Sequence, residues 1–117
     1  MIRGIGIDLC EISRMEEAIH RPHFVERIFS AEEQAYLNTK GSGAPQTAAG
    51  LYAAKEAFLK ALGTGIDRLS LREIEVIHSD KGAPAYRLNG PYADLACTAL
   101  LSITHEAGVA AAVCVLQ

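Results

Sequence analysis

A carboxylate, an ammonium group and a glycine-rich turn stand close together in the middle of the chain. The segment AAKEAFLKALGTG, residues 53–65, has the pattern of a helix that ends in a glycine turn. Residues four apart share a helix face, so Glu56 and Lys60 point the same way and Gly63 follows about one turn later. A hard cation binds oxygen, whereas a phosphate binds positive charge and free amides. The segment suits a metal and phosphate site; an exposed Glu–Lys pair with a glycine cap is the alternative.

The N-terminal segment places a second acid in an unusual setting. In GIGIDL, residues 4–9, aliphatic residues alternate with glycine and aspartate, which is the period of a β-strand. Glycine weakens a strand unless another group approaches its backbone closely, and aspartate is a poor strand former. Asp8 is therefore either a turn residue at the strand end or a ligand beside a crowded backbone. The Gly-x-Gly does not predict a dinucleotide site, because Leu9 stands where that fingerprint needs its third glycine.

The order of the remaining patterns predicts an α+β fold, with a mainly antiparallel sheet packed against a long central helix. Helices and strands interleave without the regular spacing of βαβ units. The predicted elements are a strand over 2–9, helices beginning at the capping residues Ser13 and Ser30, a short helix over 24–28, a loop over 41–47, a long helix over 46–62, strands over 74–78 and 85–88, a short helix over 91–99, and a hairpin of 100–104 with 109–116.

Composition limits the class of protein. The 117 residues suit one domain, 1–117, with a modest core. Half of the chain is hydrophobic, and surplus apolar surface in a small domain favours an oligomer. The net charge of −3 gives no electrostatic case for nucleic-acid binding. The apolar stretches are too short to span a membrane, and the start lacks the layout of a secretory signal. We therefore expect a cytoplasmic protein.

Several other residues are expected to be structural. Cys10, Cys97 and Cys114 have neither zinc spacing nor a disulfide framework, so buried free thiols are expected. The rings of Tyr52 and Phe58 are expected in the core rather than at a ligand. Lys55 is expected in a salt bridge at the surface.

Three motifs together make the chain resemble the holo-acyl-carrier-protein synthases, the small bacterial 4′-phosphopantetheinyl transferases. They are GIGIDLCEI at 4–12, the helix with Lys-Glu-Ala-x-x-Lys ending in Gly-Thr-Gly at 55–65, and LSITH at 101–105 before an alanine-rich strand. The motifs follow the family's order and spacing, and the resemblance covers essentially the whole chain. It implies the 4′-phosphopantetheinyl transferase fold. It also implies transfer of 4′-phosphopantetheine from coenzyme A to a serine of an apo acyl carrier protein, with release of adenosine 3′,5′-bisphosphate.

The resemblance implies a role for each matching residue. Asp8 and Glu56 correspond to the acids that bind Mg²⁺, and with Lys60 they form the catalytic group. Such a site would serve phosphoryl transfer by neutralising pyrophosphate charge. A structural hydrogen-bonded role remains the alternative for His105, and a place at the sheet edge for Ser102 and Thr104. The implied coenzyme A contacts are Lys60, Gly63, Thr64, Gly65, Gly82, Pro84, Ser102, Thr104 and His105.

The resemblance also implies partners: the acyl carrier protein and two further copies of the chain, with sites between the subunits of a homotrimer. Carrier proteins are acidic around the modified serine, so a basic docking surface is expected. Arg14, Arg21 and Arg27 lie in the first helical region and match that expectation. The alternative is a solvated face, because glutamates are interleaved with these arginines.

Two positions depart from the family pattern. Leu51 stands where the family has an arginine, and Ala83 where it has the lysine of Gly-Lys-Pro. Losing one charge-assisted hydrogen bond costs about 1.5–3 kcal/mol, so coenzyme A affinity is expected to fall by about one to two orders of magnitude. Lys40, Lys81 and Arg87 are the candidates to compensate. The rival functions are a catalytically weak or inactive carrier-binding module of the same fold and a structural oligomerisation domain.

Overall fold

The computed structural model describes residues 1–63 and 68–117, and these residues form an α+β fold around one long helix. Three short helices and two antiparallel sheets surround that helix. Short 3₁₀ segments lie at 41–43, 68–73 and 90–92. The main elements are β1 (Gly4–Glu11), α1 (Ile12–Ala18), α2 (Pro22–Ile28), α3 (Ala31–Asn38), α4 (Ala44–Leu62), β2 (Ile74–His78), β3 (Pro84–Leu88), β4 (Ala99–Glu106) and β5 (Val109–Leu116).

The strands confirm the predicted antiparallel pairing but divide into two sheets. Within the described part of the chain, β1, β5 and β4 form a three-stranded sheet in that order, and β2 and β3 form a separate two-stranded sheet. In the larger sheet Asp8 lies opposite Ala112, and the predicted β4–β5 hairpin turns at Ala107 and Gly108, both with positive φ.

Two glycines let β1 lie directly on α4. A Cβ added at Gly6 would stand 2.0 Å from the carbonyl oxygen of Ala57, and one added at Gly4 would stand 2.2 Å from that of Ala61. Any side chain at either position would therefore force the strand away from the helix. This close approach is the reason for the glycines in the first motif, and it fixes the distance between the acid of β1 and the side chains of α4.

The larger sheet presents opposite characters on its two faces. Along β1, Gly6 and Cys10 are buried on the side that faces α4. The alternate residues Ile5, Ile7 and Leu9 point outward and remain 67%, 63% and 64% exposed. The aliphatic side of this strand is thus uncovered in the single chain.

The surface position expected for Lys55 is wrong. The side chain is fully buried, because α3 and the 68–73 segment cover that side of α4. Its Nζ donates to Glu33 Oε1 at 2.8 Å and to the carbonyl oxygens of Leu71 and Ile74 at 3.0 and 2.7 Å. Burial lowers the pKa of Lys55, and the negative charge of Glu33 only partly offsets this effect. The core positions expected for Tyr52 and Phe58 are confirmed.

Some predicted boundaries are confirmed and others are wrong. The capping box at Ser30 is present, since its Oγ accepts from the Glu33 amide and the Glu33 carboxylate accepts from the Ser30 amide. Ser13 is not a cap, because α1 begins at Ile12 directly after β1. The expected loop over 41–47 is shorter, since α4 begins at Ala44 with proline in its first turn. The helix expected over 91–99 is only a 3₁₀ turn, Gly90–Tyr92.

The three thiols are free, but only two of them are buried. Cys10 and Cys114 lie in the core, whereas Cys97 is half-buried, so the expectation of three buried thiols is wrong for Cys97. Burial raises the pKa of Cys114 to about 11.

Within the described ranges, no helix is both long and apolar enough to cross a membrane.

Candidate active site

An ion pair joins the first two sequence motifs. Lys60, in the last turn of α4, donates from Nζ to Asp8 Oδ1 at 2.9 Å and to the carbonyl oxygen of Ile7 at 3.1 Å. The Asp8 side chain is 18% exposed and that of Lys60 is 46% exposed, so solvent reaches both charges. They line a shallow, open hollow together with Ile7 and Leu9. The structure thus brings together Asp8 and Lys60, two members of the predicted catalytic group.

Glu56 lies one turn before Lys60 on α4 and is buried, with 3% exposure. Burial raises the pKa of the Cys10 thiol, and the positive charge of Arg14 counteracts this rise. The negative charges of Asp8, Glu11 and Glu56 raise the pKa of the thiol further. Asp8 and Glu56 thus act on the same thiol from a strand and from a helix. Because Gly6 packs against Ala57, the acid two residues further along β1 comes to the part of α4 that carries Glu56.

The pair of carboxylates has the chemistry of a magnesium site rather than of a structural zinc site. Among residues 1–63 and 68–117, no cluster of three or more His, Cys, Asp or Glu side chains could enclose a metal ion. Mg²⁺ usually takes one or two protein carboxylates and completes its shell with substrate phosphates and water. Asp8 and Glu56 fit that requirement as a donor set.

The glycine turn after α4 is only partly described. Gly63 ends the helix in the left-handed region, with φ 73°, and its amide donates to the carbonyl oxygens of Leu59 and Lys60. Thr64 and Gly65, both predicted to contact coenzyme A, lie outside the described residues.

A second hollow collects three of the predicted coenzyme A residues. Gly82, Pro84 and His105 line a cavity of about 240 Å³ in which Leu51 is also a wall. Gly82 lies in the β2–β3 turn with φ 88°, and His105 lies on the face of β4 that turns toward α4. The turn and the end of β4 are therefore brought together, next to the apolar residue that replaces the expected arginine.

A polar contact fixes the imidazole of His105. Gln46, in the first turn of α4, places its Nε2 3.1 Å from Nε2 of His105. Gln46, Thr47, Tyr36 and His78 also line this hollow. Sequence reasoning missed these four residues, because none stands within a motif and their meeting depends on how α3, α4 and β2 pack.

Ser102 and Thr104 point to the opposite side of the sheet. They share one face of β4, as predicted, but that face is the outer one. There they border a shallow hollow with Ile7 and residues 111–113. Within one chain, these hydroxyls do not join the hollow that contains His105.

All three predicted docking arginines are exposed, but they do not lie on one helix. Arg14 is on α1, Arg21 precedes the first turn of α2, and Arg27 is in the last turn of α2. The guanidinium of Arg21 stands 5.9 Å from the ring centroid of Phe24. The basic side chains thus spread over two short helices at the surface.

The chain belongs to the 4′-phosphopantetheinyl transferase superfamily, whose family model matches residues 4–114. The holo-[acyl-carrier-protein] synthase of Oceanobacillus iheyensis is 43% identical, and the match covers 100% of this chain and 98% of that protein. The matched region contains the strand acid, the central helix and the terminal hairpin.

Solved structures give the same result. The holo-(acyl-carrier-protein) synthase of Bacillus anthracis, a crystal structure in complex with CoA (3′,5′-ADP), matches with a TM-score of 0.84 at 39% identity, over 99% of this chain and 96% of that chain. The Helicobacter pylori holo-[acyl-carrier-protein] synthase, in complex with coenzyme A, matches with a TM-score of 0.84 at 36% identity, over 97% and 99%. The fold inferred from the three motifs is therefore confirmed.

Proposed function

We propose that this protein transfers the 4′-phosphopantetheine group of coenzyme A to a serine of an apo acyl carrier protein. The observation that carries this proposal is the 2.9 Å contact between Lys60 and Asp8, which unites the two signature motifs in one open hollow. The relatives named holo-[acyl-carrier-protein] synthase and the coenzyme A complexes among the solved structures support it.

The reaction breaks a phosphoanhydride bond of coenzyme A and forms a phosphate ester bond to the serine of the carrier. The serine oxygen attacks the phosphorus that carries the pantetheine arm, and the bond from that phosphorus to the bridging oxygen of the pyrophosphate breaks. Adenosine 3′,5′-bisphosphate leaves with the bridging oxygen, and the serine proton is released. Phosphoryl transfer of this kind depends mainly on positioning and on neutralising charge. The Lys60 ammonium, held at the mouth of the hollow, is placed to bind a pyrophosphate oxygen.

Asp8 and Glu56 are the residues that we propose to hold Mg²⁺. When bound, the cation would neutralise charge on the pyrophosphate. The chain's own contribution is to keep the two acids together, and the glycines of β1 do this by letting the strand touch α4. The buried setting of Glu56 limits its motion, whereas the partly exposed Asp8 is open to substrate.

The remaining coenzyme A contacts are proposed in two groups. Gly82, Pro84 and His105 share one hollow, and the imidazole of His105 is held there by Gln46. Gly63, Thr64 and Gly65 come next in the sequence after α4, whose last turn carries Lys60, and Ser102 and Thr104 lie on the outer sheet face.

We propose that the working protein is a homotrimer with sites between subunits. Among the residues that the structure describes, the hollow of Asp8 and Lys60 and the hollow of His105 share no lining residue, so one chain holds two separate parts of the proposed site. The outward hydroxyls of Ser102 and Thr104 form a third part. Packing of a second copy against the outer sheet face would bring such parts together.

The outer sheet face has the exposed aliphatic side chains that such packing needs. Ile5, Ile7 and Leu9 are 63–67% exposed, and Leu100 of β4 is 49% exposed. Sedimentation of the wild type is expected to give about three times the chain mass of 12.5 kDa. Ile5→Glu should lower the sedimenting mass, whereas Ile2→Glu, equally exposed but outside the strand, should not. A monomeric wild type at assay concentrations would contradict the trimer.

We also propose Arg14, Arg21 and Arg27 as the surface that docks the acidic carrier protein, and the cytoplasm as the compartment of the reaction. All three guanidinium groups are exposed, which allows them to meet carboxylates of a partner. Arg14 lies four residues after Cys10, near the end of the strand that carries Asp8, so a carrier bound there would stand near the acids. Arg14→Ala should raise the carrier KM while leaving the coenzyme A KM unchanged.

Intact-protein mass spectrometry of an apo acyl carrier protein tests the proposed reaction. The carrier is incubated with this protein and coenzyme A, in Mg²⁺ or in a chelator. We expect a mass gain of one phosphopantetheine group in Mg²⁺ and none in the chelator. If several carriers bind but none gains this mass, the proposed transferase activity is wrong. The non-catalytic carrier-binding module that Leu51 and Ala83 suggest would then be favoured.

A further inference from the structure

We propose that Arg72 is a positioning residue for carrier recognition, which neutralises Glu26 and holds it at the C-terminal end of α2. This inference rests on the proposed function, and in particular on α2 as part of the surface that meets the acidic carrier. Arg72 lies in the 68–73 segment, 46 residues after Glu26. It belongs to none of the three sequence motifs, so only the fold brings it to that surface.

The guanidinium group of Arg72 contacts three oxygen atoms at the end of α2. Its Nη1 donates to the carbonyl oxygen of Glu26 at 2.6 Å and to that of Phe29 at 2.8 Å. The same nitrogen lies 3.3 Å from Glu26 Oε2 and forms an ion pair with that carboxylate. The last carbonyl groups of a helix lack partners within the helix, and a cation there complements the helix dipole. Arg72 therefore fixes both the backbone end of α2 and one of its side chains.

A second side chain holds Glu26 from α3. Nε2 of Gln34 donates to the carbonyl oxygen of Phe29 at 3.0 Å and, in a longer contact of 3.5 Å, to Glu26 Oε1. Both carboxylate oxygens of Glu26 thus have a donor, although this side chain is 68% exposed. The seven residues of α2 are fewer than the roughly 12 that an isolated helix needs, so contacts from outside the helix stabilise it.

The charge balance of the first helical region makes the contact with Arg72 important. Residues 14–27 contain as many glutamates as arginines, namely Glu16, Glu17 and Glu26 beside Arg14, Arg21 and Arg27. The region therefore has no excess of positive charge of its own, whereas an acidic partner is attracted by such an excess. When Arg72 pairs with Glu26, its charge joins the region and leaves one positive charge in excess.

Glu26 stands at a sensitive position on this surface. It directly precedes Arg27 in the last turn of α2. Successive helix residues are about 100° apart, so the two side chains lie on neighbouring parts of the helix surface. An unpaired carboxylate there would repel an acidic carrier at the place where Arg27 attracts it. The ion pair with Arg72 removes this repulsion.

The KM for the carrier tests the role of Arg72. Transfer to an apo acyl carrier protein is followed by mass spectrometry at saturating coenzyme A. Arg72→Gln is expected to raise the carrier KM by at least about threefold, because it leaves Glu26 unpaired. Arg72→Lys keeps the positive charge and should raise it by less than about twofold. The KM for coenzyme A should stay unchanged in both variants.

Variants of Glu26 separate neutralisation from support of the helix. Glu26→Gln alone keeps Arg72 and its backbone contacts, and it should lower the carrier KM because it removes the negative charge. The double variant with Arg72→Gln should return to within about twofold of the wild type, since the pair is removed as a whole. In about 1 M NaCl, where the Debye length is about 3 Å, Arg72→Gln and the wild type should have the same carrier KM.

Arg3→Gln is the matched control. It removes an exposed arginine that donates to the carbonyl oxygen of Ala96 at 3.3 Å, outside residues 14–27, and it should keep both wild-type KM values. Thermal unfolding checks that each variant is folded.

Three results would overturn the role of Arg72 while the wild type still transfers the group. They are an unchanged carrier KM for Arg72→Gln, an equal rise in its KM for coenzyme A, and a double variant no better than Arg72→Gln alone. A rise in the carrier KM of Glu26→Gln would overturn it as well, and this result does not depend on the folding of Arg72→Gln. A wild type that modifies no carrier would instead overturn the proposed function, and this inference with it.

Discussion

Asp8→Asn and Glu56→Gln are each expected to lower the rate of phosphopantetheine transfer by about 100-fold or more. Loss of a residue that merely supports a metal ligand already costs 10–100-fold, and loss of the ligand itself should cost at least as much. Both replacements keep the size of the side chain and remove only its charge. Asp8→Asn also weakens the attraction that holds Lys60 at the hollow. The rate is measured by carrier mass spectrometry at saturating coenzyme A and Mg²⁺.

The control for these variants is Asp94→Asn, which removes an exposed carboxylate between β3 and β4, outside the hollow of Asp8 and Lys60. It should keep the wild-type rate. Circular dichroism and thermal unfolding should show that the two site variants remain folded. Wild-type rates for Asp8→Asn and Glu56→Gln, in folded protein, would mean that the acids do not hold a catalytic metal.

Lys55→Met is expected to lower the free energy of unfolding by about 3–5 kcal/mol. Removing one partner of a buried ion pair leaves the other charge buried without compensation. Here Glu33 would lose its cation, and the carbonyl groups of Leu71 and Ile74 would lose their shared donor. The free energy is measured by urea unfolding at one fixed protein concentration, because assembly would otherwise contribute.

Two further variants distinguish the effect of losing the buried charge from the effect of replacing any lysine of α4. Lys60→Met removes a half-exposed lysine from the same helix and should cost less than about 1 kcal/mol, as exposed ion pairs do. The double variant Lys55→Met with Glu33→Gln should recover part of the loss, because no uncompensated charge stays in the core. A cost for Lys55→Met equal to that of Lys60→Met would contradict the structural role of the buried pair.

The buried ion pair of Lys55 and Glu33 also explains the orientation in which α4 places Glu56. Lys55 binds toward α3 and the 68–73 segment, whereas Glu56 and Lys60 lie on the part of the helix that meets β1. The network around Glu33 includes the amide of Val76 at 2.9 Å, so one carboxylate ties α3, α4 and β2 together. The adjacent residues Lys55 and Glu56 therefore have different roles. Lys55 fixes the rotation of the helix, and Glu56 lies at the candidate site.

The site elements were predictable because their patterns are local. Alternating glycines at positions 4 and 6 indicated a close backbone approach, and the helix of Ala57 and Ala61 is what approaches. The four-residue spacing of Glu56 and Lys60 indicated a shared helix face. Lys60 does meet Asp8, although β1 and α4 are far apart in sequence.

The failed predictions concern contacts that no local pattern encodes. Lys55 was predicted at the surface from its local sequence. It is buried because α3 and the 68–73 segment fold over α4. Proline at position 91 suggested a helix, yet the chain leaves the turn to pair with the C-terminus. Thr98 exchanges both backbone hydrogen bonds with Gln117, at 2.7 and 2.9 Å, and this extends the sheet instead. The hollow that contains His105 likewise depends on α3 meeting β2.

Anomalous diffraction from crystals of this protein grown with coenzyme A and Mn²⁺ in place of Mg²⁺ tests the central claim most directly. The claim is that an acid of β1 and an acid of α4 hold one metal beside the pyrophosphate. We predict a single anomalous peak within bonding distance of carboxylate oxygens of both Asp8 and Glu56, with a pyrophosphate oxygen as a further ligand. A peak bound by neither acid, while coenzyme A occupies the hollow beside Lys60, would contradict the account.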